Sequence, residues 1–191
     1  MTKDSMMMLN KRSASRIVIF VMAFLGVGAT FGARQDVVTE VKIFLARDAM
    51  HPGETFKAAL LLSIGPDWHI NANPVNDDFL IPTTLEFRED GNFKTANTIY
   101  PPPLPVRFEF SESEVYVYAE SALIGVLIKV GNKVLPGIYT LKGALTYQAC
   151  NESSCLPPET VSVEFKVKVV DFEMPTGEVN VEIFSRIRFD K

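Results

Sequence analysis

The chain has few of the residues that enzymes use most often for chemistry. Its 191 residues include two cysteines, two histidines and one tryptophan. The histidines, His51 and His69, lack the paired spacing of zinc ligands and lie far from the cysteines in sequence. No Gly-x-Ser-x-Gly motif is present, which argues against a hydrolase built on a nucleophile elbow. We therefore expect no metal site and no cofactor.

The chain also lacks a large net charge. The net charge is −4, and no long block of lysine and arginine occurs anywhere in the chain. Proteins that bind nucleic acids usually carry a basic patch, so we exclude nucleic acid as a partner. The hydrophobic fraction of 47% and the charged fraction of 22% are ordinary for a globular protein.

The N-terminal residues have the pattern of a secretory leader. Lys11, Arg12 and Arg16 precede an uncharged apolar run over residues 17–29, and small residues follow. We predict a signal peptide over residues 1–33 and a protein that is periplasmic or otherwise exported. The alternative is an uncleaved membrane anchor, although the apolar run is shorter than the roughly 20 residues of a typical spanning helix. The membrane is expected as a partner only through such an anchor.

After the leader, apolar and polar residues alternate with period two over several short segments. This alternation is typical of strands with one face on a core and one face in water. Turn signals rich in glycine, proline and asparagine separate the segments, and no helical periodicity of useful length appears. The pattern predicts an all-β protein with an antiparallel β-sandwich over residues 36–170. The alternating apolar positions include Phe56, Ala58, Leu60, Leu62, Ile124, Val126, Ile128, Val161, Val163, Phe165, Val167 and Val169.

Two segments depart from this pattern. Residues 100–105 contain four prolines, which cannot donate hydrogen bonds to a central strand, so we expect an extended segment there. Residues 171–191 are interpreted as a final edge strand or a loosely held tail. The chain thus comprises a leader, one sandwich domain and a C-terminal extension.

The cysteines, Cys150 and Cys155, are separated by four residues and lie between two predicted strands, at the mouth of a hairpin. In an oxidising compartment, two thiols placed this closely are expected to form a disulfide. A structural staple is one interpretation, but a loop this short lowers the entropy of the unfolded chain by only about 2 kcal/mol. A disulfide at a loop mouth is also accessible to exchange. Both interpretations remain open from the residues alone.

No built-in activation of either thiol is evident. The spacing is not Cys-x-x-Cys, no helix N-terminus is expected nearby, and the nearest charged residues are Glu152 and Glu159. Acidic neighbours disfavour a thiolate. The pattern favours a carrier that responds to a more reactive partner over a thioredoxin-like enzyme.

Several motifs resemble the N-terminal periplasmic domain of the DsbD thiol:disulfide interchange proteins. The cysteine segment is the most specific of them, and the resemblance runs from about residue 36 to about residue 170. The motifs are residues 147–150 (Tyr-Gln-Ala-Cys), 155–160 (Cys-Leu-Pro-Pro-Glu-Thr), 68–71 (Trp-His-Ile-Asn), 79–83 (Phe-Leu-Ile-Pro-Thr) and 113–116 (Ser-Glu-Val-Tyr).

The resemblance implies an immunoglobulin-like sandwich that relays electrons. In that family the domain takes electrons from a thioredoxin-like partner and passes them to oxidised periplasmic thiol proteins. The second cysteine, here Cys155, forms the mixed disulfide, and the first, Cys150, resolves it. A cap loop shields the pair, here residues 107–114 with Phe108 or Phe110 as the covering ring, and Tyr147 is a further shielding residue or a core residue.

The chain shows neither the membrane channel nor the thioredoxin-like domain of full-length DsbD, so we expect a separate protein as the electron donor. The main functional hypothesis is thiol-disulfide exchange through Cys150 and Cys155. The alternative is a non-enzymatic immunoglobulin-like binding module in which the disulfide is structural.

Overall fold

Eleven β-strands and one short helix make up the part of the chain that the computed structural model describes, residues 37–189. The predicted leader lies outside this range. Within it, no helix is long and apolar enough to span a bilayer.

The strands vary from two to eleven residues in length. The first six are β1 (Val38–Leu45), β2 (Thr55–Ile64), β3 (His69–Asn71), β4 (Thr84–Phe87), β5 (Phe93–Ile99) and β6 (Leu104–Val106). The remaining elements are β7 (Val115–Ala119), β8 (Ser121–Val130), β9 (Gly137–Tyr147), β10 (Ala149–Cys150), β11 (Glu159–Val169) and the helix α1 (Val181–Phe184).

These strands form three antiparallel sheets. The first has the order β1-β2-β8-β5, the second β11-β9-β4 and the third β10-β3-β7-β6. The proline-rich segment ends in β6, which is an edge strand. Pro105 is tolerated there because one side of an edge strand has no neighbouring strand to hydrogen-bond with. The predicted all-β antiparallel sandwich is confirmed.

The main core lies between the first sheet and the other two. Alternation brings one face of each strand inward: Phe56, Leu60 and Leu62 on β2 are buried, while Lys57 is exposed. They pack in one cluster with residues of β8, β9 and β11. Burial of these apolar side chains supplies the main driving force for folding. Other members of the cluster are Ile124, Val126, Ile128, Leu141, Leu145, Tyr147, Val163 and Val167.

Residues 171–189 form a tail that returns to the first sheet. The Gly177 amide donates to the Asp48 carboxylate at 2.8 Å, and the Val179 amide donates to the carbonyl of Ala46 at 2.9 Å. At its end, Ile187 and Phe189 lie against Gly125 in the middle of β8, where a Cβ atom would come within 2.7 Å of Ile187. The segment is thus an anchored tail with one helical turn, where the sequence suggested an edge strand or a loose tail.

Candidate functional site

Cys150 and Cys155 are joined in a disulfide, with Sγ atoms 2.07 Å apart and Cα atoms 4.0 Å apart. The two residues face each other across a narrow antiparallel bridge. The Asn151 amide donates to the carbonyl of Ser154 at 2.9 Å, and the Leu156 amide donates to that of Ala149 at 2.8 Å. These bonds flank the cysteines, which therefore occupy a non-hydrogen-bonded pair, the position at which facing side chains come closest.

A change of sheet after Tyr147 creates this bridge. β9 pairs with β11 as far as Tyr147, and after Gln148 the chain pairs with β3 in the third sheet. The segment that leads to Cys150 is therefore two strands, β9 and β10. Beyond Cys150 the tip is held by the Asn151 side chain, whose Oδ1 accepts from the amides of Ser153 and Ser154.

Register places Cys150 in a row of facing residues across the third sheet. Ala119 pairs with His69, His69 with Cys150, and Cys150 with Cys155. Facing residues in antiparallel strands project to the same side, with Cβ atoms about 4.5–5.5 Å apart. The disulfide and the His69 imidazole therefore share the face of the sheet that points away from the main core, since Ile70 and Tyr118 on the opposite face belong to that core.

Asn71 lies beside the disulfide on this face and is fully buried. Its Nδ2 donates to the Ile81 carbonyl at 3.1 Å and to Gln148 Oε1 at 3.0 Å, which leaves Oδ1 directed at Cys150 Sγ, 3.8 Å away. The Asn71 carbonyl accepts from both the amide and the hydroxyl of Thr83. An amide oxygen in this place can accept a hydrogen bond from a Cys150 thiol.

Gln148 connects the two sides of the disulfide. Its Oε1 accepts from Asn71 and from the Ile81 amide, and its Nε2 donates to the Leu156 carbonyl at 3.2 Å. The side chain thus ties the strand before Cys150 to the residue after Cys155. Buried polar networks with all partners present hold a single geometry.

Residues 107–114, the predicted cap, lie on the same face. Phe108 is 1% exposed and packs with Val115 and Val117 of β7, and with Val106 and Leu80, in a small cluster separate from the main core. Its ring meets the His69 ring edge-on at 5.4 Å. Phe110 is 42% exposed and stacks on Phe108 at 5.0 Å. The cap is therefore anchored by Phe108 beside the cysteine row, with Phe110 outside it.

Tyr147 occupies a different position. Its ring is part of the main core, and its hydroxyl donates to Glu159 Oε2 at 3.1 Å. This is the core placement that the sequence left open. A shielding role for Tyr147 stays a prediction.

The two cysteines differ in exposure. Cys150 is 0% exposed, whereas Cys155 is partly exposed on the outer side of the bridge. Apolar side chains near this end of the domain are exposed, including Phe79 at 92%, Ile81, Phe110 and Leu156. Cys155 is therefore the more accessible of the two cysteines, and it lies near exposed apolar groups.

The charged residues nearest the disulfide in the sequence, Glu152 and Glu159, are acidic. Ion pairs in the described residues lie elsewhere and join Lys42 to Glu40, and Glu54 to Arg47 and His51. Burial raises the pKa of the Tyr118 hydroxyl, which bonds to the backbone of Asn73 behind the sheet, so this group stays uncharged at neutral pH. Among residues 37–189, no three His, Cys, Asp or Glu side chains are grouped to hold a metal ion.

Sequence reasoning assigned no role to Asn71 and Gln148, although both lie in the motifs quoted above. A signal was available: each is a polar residue at an otherwise apolar strand end, flanked by residues that the structure buries. Their hydrogen bonds join segments 77 and 67 residues apart, and this pairing is visible only in the fold.

Fold and site together define an immunoglobulin-like β-sandwich with a disulfide at one end. The sequence profile of the N-terminal region of thiol:disulfide interchange protein DsbD matches residues 35–167. The chain belongs to this family. The family and the bonded cysteine pair are consistent with a module for thiol-disulfide exchange.

Solved structures that are similar to the chain include two N-terminal domains. The reduced N-terminal domain of Neisseria meningitidis DsbD is 16% identical, with a TM-score of 0.43, over 72% of this chain and 88% of that chain. The N-terminal periplasmic domain of Proteus mirabilis ScsB is 12% identical, with a TM-score of 0.46, over 77% of this chain and 53% of that one. A chain from a cohesin–dockerin complex of Clostridium thermocellum is 17% identical, with a TM-score of 0.37, over 68% of this chain and 99% of that chain. No curated protein sequence matches the chain.

Proposed function

We propose that the domain relays electrons in the periplasm through the Cys150–Cys155 pair. A thioredoxin-like dithiol reduces the disulfide, and the reduced pair then reduces an oxidised thiol protein. The observation that carries the proposal is the unequal exposure of a disulfide at the domain end: Cys150 is 0% exposed and Cys155 is partly exposed.

The exchange has two steps. A thiolate of the donor attacks Cys155 Sγ, the Cys150–Cys155 bond breaks, and Cys150 leaves with the electron pair. The second donor thiolate then attacks the donor sulfur of the mixed disulfide, which releases reduced Cys155 and an oxidised donor. Two electrons pass from the donor dithiol to the domain.

The cap controls access in this proposal. Phe108 packs on the face that carries the cysteines and touches His69, the strand neighbour of Cys150. An approaching partner displaces residues 107–114 and contacts the exposed apolar side chains around the bridge. The Phe110 ring stacks outside Phe108 and leaves with it.

The absence of a cation among the described contacts of the disulfide explains why a partner is required. The buried amide of Asn71 and the half-buried amide of Gln148 hold the pair in place, but no cation among the described contacts stabilises a thiolate. Thiolates are the nucleophiles in exchange, so the reaction in the reducing direction begins with the thiolate of the donor.

The proposal is tested with single-cysteine variants. Cys150→Ala leaves Cys155 free, and Cys155→Ala leaves Cys150 free as the matched control. Each is mixed with a thioredoxin that lacks its resolving cysteine and carries an activated mixed disulfide with thionitrobenzoate. We expect the Cys150→Ala variant to form the mixed disulfide at least about tenfold faster, since thiol access limits exchange.

Equal rates, or faster reaction through Cys150, would contradict the assignment of Cys155. If neither variant reacts faster than the thiol of an unfolded peptide, and both retain the fold, the disulfide is a structural staple. The alternative of a non-enzymatic binding module would then be favoured.

A further inference from the structure

His69 has a buried ring nitrogen without a partner. Nδ1 is inaccessible to water and makes no hydrogen bond in the structure. An orphaned polar atom is rare in a native interior because it loses hydration without compensation. The exchange reaction as described above does not use this residue, although its ring lies under the cap.

The position of His69 is set by two independent contacts. It is the direct strand partner of Cys150, on the side of Cys150 opposite to Cys155. Its ring is also packed edge-on against Phe108, 5.4 Å away. Side chains that face each other in a strand pair project to the same side, so the imidazole and the Cys150 side chain lie at facing positions on one face of the sheet, the face that carries Phe108.

Breaking the disulfide creates a need for a proton at this place. Cys150 leaves as a thiolate, and it is fully buried. The side-chain oxygen directed at its sulfur is Asn71 Oδ1, a hydrogen-bond acceptor that stabilises a thiol and repels a thiolate. Burial without a cation also disfavours the charged form. The leaving sulfur must therefore take up a proton as the bond breaks.

We propose that His69 supplies and removes the Cys150 proton during disulfide exchange. This proposal rests on the proposed function. In the reducing direction the imidazolium gives its Nδ1 proton to the Cys150 sulfur as the donor thiolate bonds to Cys155. The neutral imidazole then has its free lone pair on Nδ1, and it regains a proton there from water that enters when the cap is displaced. In the oxidising direction the imidazole takes the proton from the Cys150 thiol, and the thiolate attacks the mixed disulfide on Cys155.

Other charged groups near His69 point into solvent. The segments that flank it or pack against it carry seven of them, all on exposed residues, where salt screens their charges. They are Asp67, Arg107, Glu109, Glu112, Glu114, Glu120 and Glu152. A change in rate between pH 5 and 8 is therefore assigned to a histidine, the side chain that ordinarily changes charge there.

The test uses dithiothreitol as the dithiol and follows reduction of the full-length protein by thiol alkylation from pH 5 to 9. The variants are His69→Gln and His69→Phe, of which the second keeps a ring against Phe108. His51→Gln is the matched control, because His51 is the other histidine of the chain and stacks on Phe172 in the tail. Dividing each variant rate by the wild-type rate at the same pH cancels the ionisation of dithiothreitol.

We expect both His69 variants to be slower by roughly 10-fold to 100-fold at low pH, at or below the usual range for general acid catalysis. The deficit should shrink through a single inflection between pH 5 and 8, and His51→Gln should match the wild type. A ratio near one at every pH, or a deficit without pH dependence, overturns the inference. Failure of thioredoxin to reduce the wild-type protein, with the dithiothreitol result intact, would instead count against the proposed function.

Discussion

Phe108 gives the sharpest prediction about the cap. The Phe108→Ala change removes a ring that is 1% exposed and that packs with Val115, Val117, Val106 and Leu80. Truncation of a buried phenylalanine to alanine costs about 3–5 kcal/mol. The ring packs on one sheet face, and the half-exposed Phe110 stacks on it, so we expect the low end, about 3 kcal/mol.

If the cap must open before reduction, the lost packing energy destabilises the closed cap and shifts the equilibrium toward the open cap. A free energy of 1.4 kcal/mol corresponds to a factor of ten, so about 3 kcal/mol raises the open fraction by about 100-fold. The rate of reduction by dilute dithiothreitol should rise by the same factor. The assay quenches samples with a maleimide-linked polymer and counts free thiols by gel shift, without denaturant.

The matched control is Phe110→Ala, because Phe110 lies in the same segment and is 42% exposed. Its loss should raise the rate by less than about fivefold, in line with the roughly 1 kcal/mol attributed to an aromatic pair. Urea unfolding confirms that both variants are folded. A Phe108→Ala protein reduced at the wild-type rate, or a Phe110→Ala protein that is equally fast, would refute the capping role.

Three further predictions concern the supports of the site and the tail. Gln148→Ala removes three hydrogen bonds around the disulfide and should lower the free energy of unfolding by about 2–3 kcal/mol in urea titrations, whereas an unchanged midpoint would contradict the network. Gly125→Ala should displace residues 187–189 and speed their proteolysis, with the sandwich intact, because the new methyl group overlaps Ile187; unchanged protection would contradict this. The hydrogen bond from the Gly177 amide lowers the pKa of Asp48. The ionised Asp48 carboxylate therefore stabilises the folded protein above the unfolded pKa, and this stabilisation is lost as pH falls through the lower folded pKa. Hydrogen exchange of the tail should therefore accelerate in acid relative to Asp48→Asn, and equal acid sensitivity would contradict the link.

Much of the fold follows from local patterns. The alternation over β2, β8 and β11 reports which face is buried, because period two maps directly onto the two faces of a strand. The bend after Tyr147 is different. Ala149 and Cys150 form β10, which pairs with β3, and Ala149 lies 79 positions from its partner in that strand. Local alternation carries no information on such a partner.

The site divides in the same way. The cysteine spacing predicts a disulfide at a hairpin mouth, and the structure contains it. The roles of Asn71, Gln148 and His69 arise from contacts between segments that are distant in sequence. The sequence also predicted no anchor for the tail, since the Asp48–Gly177 bond joins a carboxylate to a backbone amide, and most residues can supply that amide.

The reduction potential of the Cys150–Cys155 pair tests the central claim most directly. The wild-type protein is equilibrated with graded ratios of reduced to oxidised dithiothreitol and quenched by alkylation. A relay pair should be half-reduced at a potential between about −180 and −270 mV, the range of thioredoxin-like exchange proteins. A pair that stays oxidised below about −300 mV behaves as a structural disulfide and would contradict the account.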